Sequence, residues 1–152
     1  MADLFSEDFL DFIGLLNRHQ VDYVVVGGFA VNIHGYQRST GDVDIWVRKT
    51  QHNYERLVNV FHDFRLPLFD MTLSNFLSDR FDVFSFGRPP QALDLITSLK
   101  GMDFDEVFTQ SIVYEERSET IRVIHKNHLI EAKKHAGRWK DHDDIQGLLS
   151  EA

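Results

Sequence analysis

Asp42 and Asp44 stand two residues apart in "GDVDIWV" (41–47), and a third acid, Asp94, sits in "ALDLIT" (92–97) with apolar residues on both sides. Side chains two apart on an extended strand project from one face, so both acids of the first stretch point the same way while Val43 and Ile45 turn toward a core. Two carboxylates held that close repel unless they are solvated, protonated or bridged by cations. Asp94 on a strand of its own faces a related problem, because an unpaired charge among apolar residues is costly. If the two strands are neighbours, three carboxylates converge. Oxygen-only coordination with open water positions suits magnesium, and two such ions about 4 Å apart activate an attacking hydroxyl and steady a phosphoryl leaving group. Asp82, in the apolar stretch "RFDVFSF" (80–86), competes with Asp94 as the third ligand.

Gly27 and Gly28 close the apolar run "DYVVVGG" (22–28) and precede "FAVNIHGY" (29–36). Without a Cβ, another group can approach the backbone there, and a helix start with free amides favours an anion such as phosphate. A tight strand-to-helix turn that needs glycine only for its dihedrals accounts for the pair equally well. The densest cations, Lys133, Arg138 and Lys140, lie in "EAKKHAGRWKDHDD" (131–144). They suit triphosphate oxygens, Arg138 by a two-pronged grip, or they form a solvated basic face paired with Asp141, Asp143 and Asp144, or Arg138 or Lys140 braces Asp141 or Asp144. His125, His128 and His135 read as solvated or capping residues, because no carboxylate pattern joins them; no zinc site is expected. Asp103, Asp105 and Glu106 read as an acidic helix start. Phe5, Phe9, Phe12, Phe61 and Phe64 recur at helical spacing and read as core.

The elements that must hold these residues follow from the changes of period. Phe9, Leu10, Phe12, Ile13 and Leu16 mark an amphipathic first helix, "DYVVV" a buried strand, and the stretch after Gly28 a short helix. "DVDIWV" alternates as a strand and "QHNYERLVNVFHDF" returns to helical spacing. "RFDVFSF" and "QALDLIT" flank Gly87 to Pro90 and should pair antiparallel. "SIVYEE" and "TIRVIH" form a weaker pair around 117–119, and two helices broken at Gly137 end the chain. One α+β domain over 1–152, a mixed sheet with flanking helices, is the expectation. The 152 residues are enough for one core, and the absence of cysteine excludes disulfides and thiolate metal sites. A net charge of -8 argues against a broad nucleic-acid footprint. No apolar run is long enough to span a bilayer and the start is acidic, so a cytoplasmic protein with no membrane partner is expected.

The ordered set Gly27-Gly28, Asp42-Val43-Asp44 and the later strand acid Asp94 resembles the DNA polymerase β-like nucleotidyltransferase superfamily. The wider run is similar to small bacterial nucleotidyltransferases related to the abortive-infection type of toxin–antitoxin systems. It carries Gly27-Gly28-Phe29-Ala30-Val31, His34-Gly35, Arg38-Ser39-Thr40, the Asp42/Asp44 pair and Gly87 to Pro90 ahead of Asp94. Lys133, Gly137-Arg138-Trp139-Lys140-Asp141 and Asp144 complete the likeness, which spans residues 21 to 149. The resemblance implies a nucleotidyltransferase-like mixed sheet with a C-terminal helical segment. It implies catalytic and metal-binding roles for Asp42, Asp44 and Asp94 with magnesium or manganese, and nucleotide or phosphate binding by Gly27, Gly28, Arg38, Thr40, Lys133, Arg138 and Lys140. Transfer of an NMP from an NTP to a hydroxyl acceptor, whether protein, transfer RNA or small molecule, is the activity implied. A nucleotide-binding pseudoenzyme or toxin–antitoxin partner without transfer, and a plain interaction domain, are the alternatives; an idle member would be expected to lose an acid.

Overall fold

The structure, a computed structural model, describes residues 7–36, 41–87 and 92–150; Phe5, Arg38, Thr40 and the two prolines of the 87–90 turn lie outside the described residues. The element order is α1 (Glu7–Arg18), β1 (Tyr23–Val26), α2 (Gly27–Ile33), β2 (Val43–Val47), α3 (Gln51–Phe64), α4 (Leu73–Leu77), β3 (Val83–Phe86), β4 (Leu93–Ile96), α5 (Phe104–Gln110), β5 (Ile112–Glu116), β6 (Glu119–Val123), α6 (Lys126–Ala136) and α7 (Trp139–Ser150). The strands form one mixed sheet in the order β3-β4-β2-β1-β6-β5. Pairs β1/β2, β3/β4 and β5/β6 are antiparallel, and β1/β6 and β2/β4 are parallel. This is the α+β mixed sheet that the sequence leads one to expect, with both hairpins in place and helices α6 and α7 parted at Gly137.

Alternation along the strands divides the sheet into two unlike faces. Val25, Ile45, Leu95 and Phe84 lie in register across β1, β2, β4 and β3. Their face is covered by aromatic side chains: Phe61 of α3 packs on Phe86 with ring centroids 4.9 Å apart, and Phe76 of α4 stacks on Phe84 at 6.5 Å. Phe12 of α1 meets Phe61 and Phe64 edge to face at 5.8 and 5.2 Å, so the phenylalanine faces are core. On the opposite face Trp46 is capped by Phe104 of α5 at 5.1 Å, while Asp44 and Asp94 lie toward the other end of the same strands.

Local chemistry sets the boundaries of the helices. The Thr50, Thr72 and Asp103 side chains accept from the amides of Asn53, Asn75 and Glu106 to cap α3, α4 and α5, and His125 Nδ1 accepts from the Asn127 amide at the start of α6. The acidic stretch at 103–106 is thus a cap, as its charge pattern indicates, and His125 is a capping histidine. Helix α4 has no counterpart in the sequence reading: it is five residues long, too short to show a period, and buries only Phe76. Arg117 and Ser118 turn the β5/β6 hairpin with φ of 50° and 70°, the primed geometry that matches strand twist, although neither is glycine. Among the described residues no helix is long and apolar enough to cross a membrane.

The C-terminal helix is fastened to the segment that leads into β2. Tyr36 Oη donates to Asp143 Oδ2 at 2.8 Å, and its ring lies so close to Gly147 that a Cβ there would come within 2.4 Å of it. Gly147→Ala should therefore lower stability by about 1–3 kcal/mol through overpacking. Combined with Tyr36→Ala, the same substitution should add almost nothing to the loss from Tyr36→Ala alone. Thermal or urea melts of the two single variants and the double variant read this coupling; additive losses would place the crowding elsewhere.

Candidate functional site

Asp44 and Asp94 are direct register partners across the parallel β2/β4 pair, and Val26, the last residue of β1, is the partner of Asp44 on its other side. Gly27 follows at once and opens α2 with φ +69°. A Cβ on Gly27 would sit 2.1 Å from Asp44 Oδ2 and 2.9 Å from its Cγ. The group that approaches the glycine backbone in this structure is therefore the Asp44 carboxylate. No side chain caps α2, whose N-terminus begins beside that carboxylate.

The electrostatics follow from this placement. Burial raises the Asp44 pKa, the neighbouring Asp94 and Asp42 charges and a hydrogen bond with Asp94 raise it further, and Lys133 opposes them; the result is about 6 against the ordinary 3.8. Asp42 lies just ahead of β2, half-buried, and reaches Asp44 through its charge. The structure thus brings Asp42 and Asp94 each to act on Asp44. Among the described residues no three His, Cys, Asp or Glu side chains form a ready-made metal centre. Asp82 is elsewhere: it precedes β3, is exposed, and its backbone carbonyl accepts from Thr97 at the far end of β4 from Asp94. Ser85, which no motif in the sequence marks, is the direct partner of Asp94 across β3/β4 and is exposed. The alternation of "VFSF" is its only signal, and that becomes legible once the register is known.

The C-terminal cations are arranged differently from a solvated basic face. Lys133 is only 6% exposed and lies between two acids of α7 that are themselves sealed from solvent, Asp141 at 0% and Asp144 at 1%. Lys133 Nζ reaches Asp144 Oδ2 at 2.9 Å and Asp141 Oδ1 at 3.3 Å. Arg138 grips Asp141 through Nε at 2.8 Å and one terminal nitrogen at 3.2 Å, and its backbone amide adds a bond of 3.0 Å to the same carboxylate. Burial works against ionised Asp141, yet the Arg138 bonds and the Lys133 charge outweigh it and hold the carboxyl below its usual range. Lys133 and Arg138 both act electrostatically on Asp44, so this cluster adjoins the strand acids. Lys140 is exposed. Arg38 and Thr40 fall outside the described residues.

His34, after α2, presents Nε2 to the carbonyl of Ile124 at 2.7 Å. A carbonyl only accepts, so that nitrogen carries the proton, and burial lowers the pKa of the ring and favours this neutral form. The contact joins the end of α2 to the end of β6, beside the start of α6.

No family model matches the chain, and no curated protein matches it by sequence. Solved structures do. A lincosamide antibiotic adenylyltransferase, LnuA, in its lincomycin-bound form, superposes with a TM-score of 0.58 at 15% identity over 97% of this chain and 99% of that one. A protein from Thermotoga maritima assigned as a nucleotidyltransferase matches with a TM-score of 0.56 at 12% identity, covering 93% of this chain and 89% of its own. An antigenic nucleotidyltransferase-like protein from Paracoccidioides brasiliensis matches at 0.53 and 14% identity, over 96% of this chain and 76% of its own. The chain thus shares its fold with these nucleotidyltransferase and nucleotidyltransferase-like structures.

The raised Asp44 pKa has a definite sign. Between about pH 4 and pH 6 the folded chain holds a proton that the unfolded chain has released, so stability falls as pH rises through that window, by about 3 kcal/mol in all. Metal-free Asp44→Asn should therefore melt above the wild type at pH 8 and level with it at pH 4. Equal melting temperatures at pH 8 would show that Asp44 carries no such repulsion. The buried ion cluster makes the opposite forecast for Lys133→Met, which should lose about 3–5 kcal/mol by removing the ammonium buried between Asp141 and Asp144. Lys140→Met, at an exposed position, should stay within about 0.5 kcal/mol of the wild type in the same denaturation series.

Proposed function

We propose that the chain is a metal-dependent nucleotidyltransferase that moves a nucleoside monophosphate from an NTP to a hydroxyl acceptor. The Asp44–Asp94 pair carries this reading: two acids in direct register across adjacent strands, one of them pushed up to about 6, beside the uncapped start of α2. A fold does not retain such repulsion for stability's sake, and its relief by a divalent cation is the simplest use for it. The donor chemistry fits magnesium or manganese, since it is oxygen-only in a chain without cysteine. Asp42, Asp44 and Asp94 would hold the ion. When bound, the ion supplies charge stabilisation at the phosphate oxygens and lowers the pKa of the attacking hydroxyl.

The chain's own groups supply the rest. The backbone amides at Gly27 and Gly28 lie at the end of β1 next to Asp44 and can receive phosphate oxygens at the helix start. Lys133 has three donors, two of them committed to Asp141 and Asp144, which leaves one N–H for a phosphate oxygen near Asp44. Arg138, tied to Asp141, serves mainly to hold that carboxylate and through it Lys133. Asp94 takes the proton of the acceptor hydroxyl as its oxygen bonds to the α-phosphorus, and the bond to pyrophosphate breaks, releasing pyrophosphate. Ser85, beside Asp94 on the same side of the sheet, is placed to orient that hydroxyl.

A small hydroxyl compound is the first acceptor to test, because the adenylyltransferase LnuA acts on a lincosamide antibiotic and matches this chain over almost the whole of both lengths. Protein and transfer RNA acceptors remain the next candidates, as does a role inside a toxin–antitoxin pair. Radiolabelled transfer from each of the four NTPs, with magnesium, into a panel of hydroxyl compounds, transfer RNA and a cell lysate tests the proposal. Asp94→Ala should lose transfer by at least about 100-fold while keeping NTP binding, as expected for a proton acceptor and metal ligand. Exposed Asp82→Ala should retain most activity. Equal losses at the two positions, or transfer by Asp94→Ala at the wild-type rate, would overturn the assignment.

A further inference from the structure

Trp139 is the first residue of α7, and it is 89% exposed, whereas Trp46, the other tryptophan, is 2% exposed in the core. An indole left in water at a helix start is anomalous, because the other large rings among the described residues are buried or half-buried, Phe69 excepted. Its mounting is rigid. Arg138, one residue before it, is held by the three bonds to Asp141, and Asp141 is shared with buried Lys133. Trp139 therefore stands at a fixed place beside the ion cluster that acts on Asp44.

The surroundings of the ring narrow what can cover it. Trp139, Asp143 and Gly147 are spaced four apart and form one row along α7. Tyr36 covers the Asp143–Gly147 part of that row and belongs to the segment that leads toward Asp42, so the uncovered end of the row is the end that carries the indole. A protein surface seeking an apolar contact would find little else there: the next exposed large apolar residue of α7 is Leu149, about 15 Å further along the helix. A flat π-surface beside the acids proposed to hold the metal and phosphates suits the flat, uncharged ring that the same ligand brings with it, the base of a nucleotide.

We infer that Trp139 is the stacking platform for the base of the bound nucleotide. The inference rests on the nucleotide site proposed above and adds to it the surface that receives the base. Because any base presents a π-face, this platform gives affinity with little discrimination among the four bases, and discrimination must come from elsewhere in the site.

Tryptophan emission and calorimetry on the whole chain, in magnesium buffer, test this with two probes: the four NTPs and inorganic tripolyphosphate. NTP binding should quench the emission, and tripolyphosphate should not. Trp139→Phe should abolish the quench yet keep NTP affinity within about threefold, since a benzene ring still stacks. Trp139→Ala should weaken NTP binding by roughly tenfold or more, leave tripolyphosphate binding unchanged, and melt at the wild-type temperature, as expected for the loss of one stacked base at an exposed site. NTP binding by Trp139→Ala at full affinity, or an equal loss for tripolyphosphate, overturns the stacking role and leaves the nucleotide site standing. So does a variant that loses only the capture of a short single-stranded RNA, which would assign the indole to an acceptor. Failure of the wild type to bind any NTP overturns the nucleotide site and the platform together.

Discussion

The register between β2 and β4 is the constraint on which the rest of the structure depends. Asp44 and Asp94 meet because Ile45 meets Leu95 one step further along, and Ile45 and Leu95 are fully buried under α3 and α4. A slip of one residue in either strand would exchange the two faces, driving a carboxylate into the aromatic layer built by Phe61, Phe76, Phe84 and Phe86. The apolar face thus enforces an arrangement that the polar face resists. Gly27 accommodates it from the β1 side, where any side chain would collide with the Asp44 carboxylate.

The charges near this pair are distributed so that they do not neutralise it. Lys133 and Arg138 are the nearest described cations acting on Asp44, but both are bonded to acids of α7, Asp141 and Asp144. Two cations and two anions make the α6/α7 cluster close to neutral as a unit. Its field lowers the Asp44 pKa only partly, and desolvation with the Asp94 and Asp42 charges still raises it to about 6. Among the described residues, the two cations that act on Asp44 are thus both bonded to acids of α7.

What the sequence discloses and what it conceals divide along physical lines. Period-two alternation marks Asp42, Asp44 and the β3/β4 hairpin, because one face of each strand must be apolar whatever its partner. The Gly27–Gly28 pair marks the strand-to-helix corner for a similar local reason. The burial of Lys133 is not legible in this way. Its helix reads as basic, and only the packing of α7 against it, which brings Asp141 and Asp144 over the ammonium group, turns an apparent surface charge into an interior one. The bracing of Asp141 by Arg138 is legible, because the two are three residues apart at the start of α7 and the sequence offers that pairing as the alternative to phosphate binding. Ser85 is hidden because its neighbour is 9 residues away in the chain and adjacent only through the hairpin register. Helix α4 escapes because five residues with one buried phenylalanine hold no period.

The parallel pairing of β1 with β6 has a consequence for the order in which the chain can be built. Val25 and Val123, register partners, are 98 residues apart, so one edge of the central strand β1 stays unpaired for most of synthesis. At ordinary elongation rates that interval is about 5–20 s. The strands that carry Asp44 and Asp94 are complete by residue 96, well before the α6/α7 pair that bears Lys133 has been made. On the ribosome Asp44 and Asp94 therefore come together before Lys133, the cation that opposes the raised pKa of Asp44, has been made.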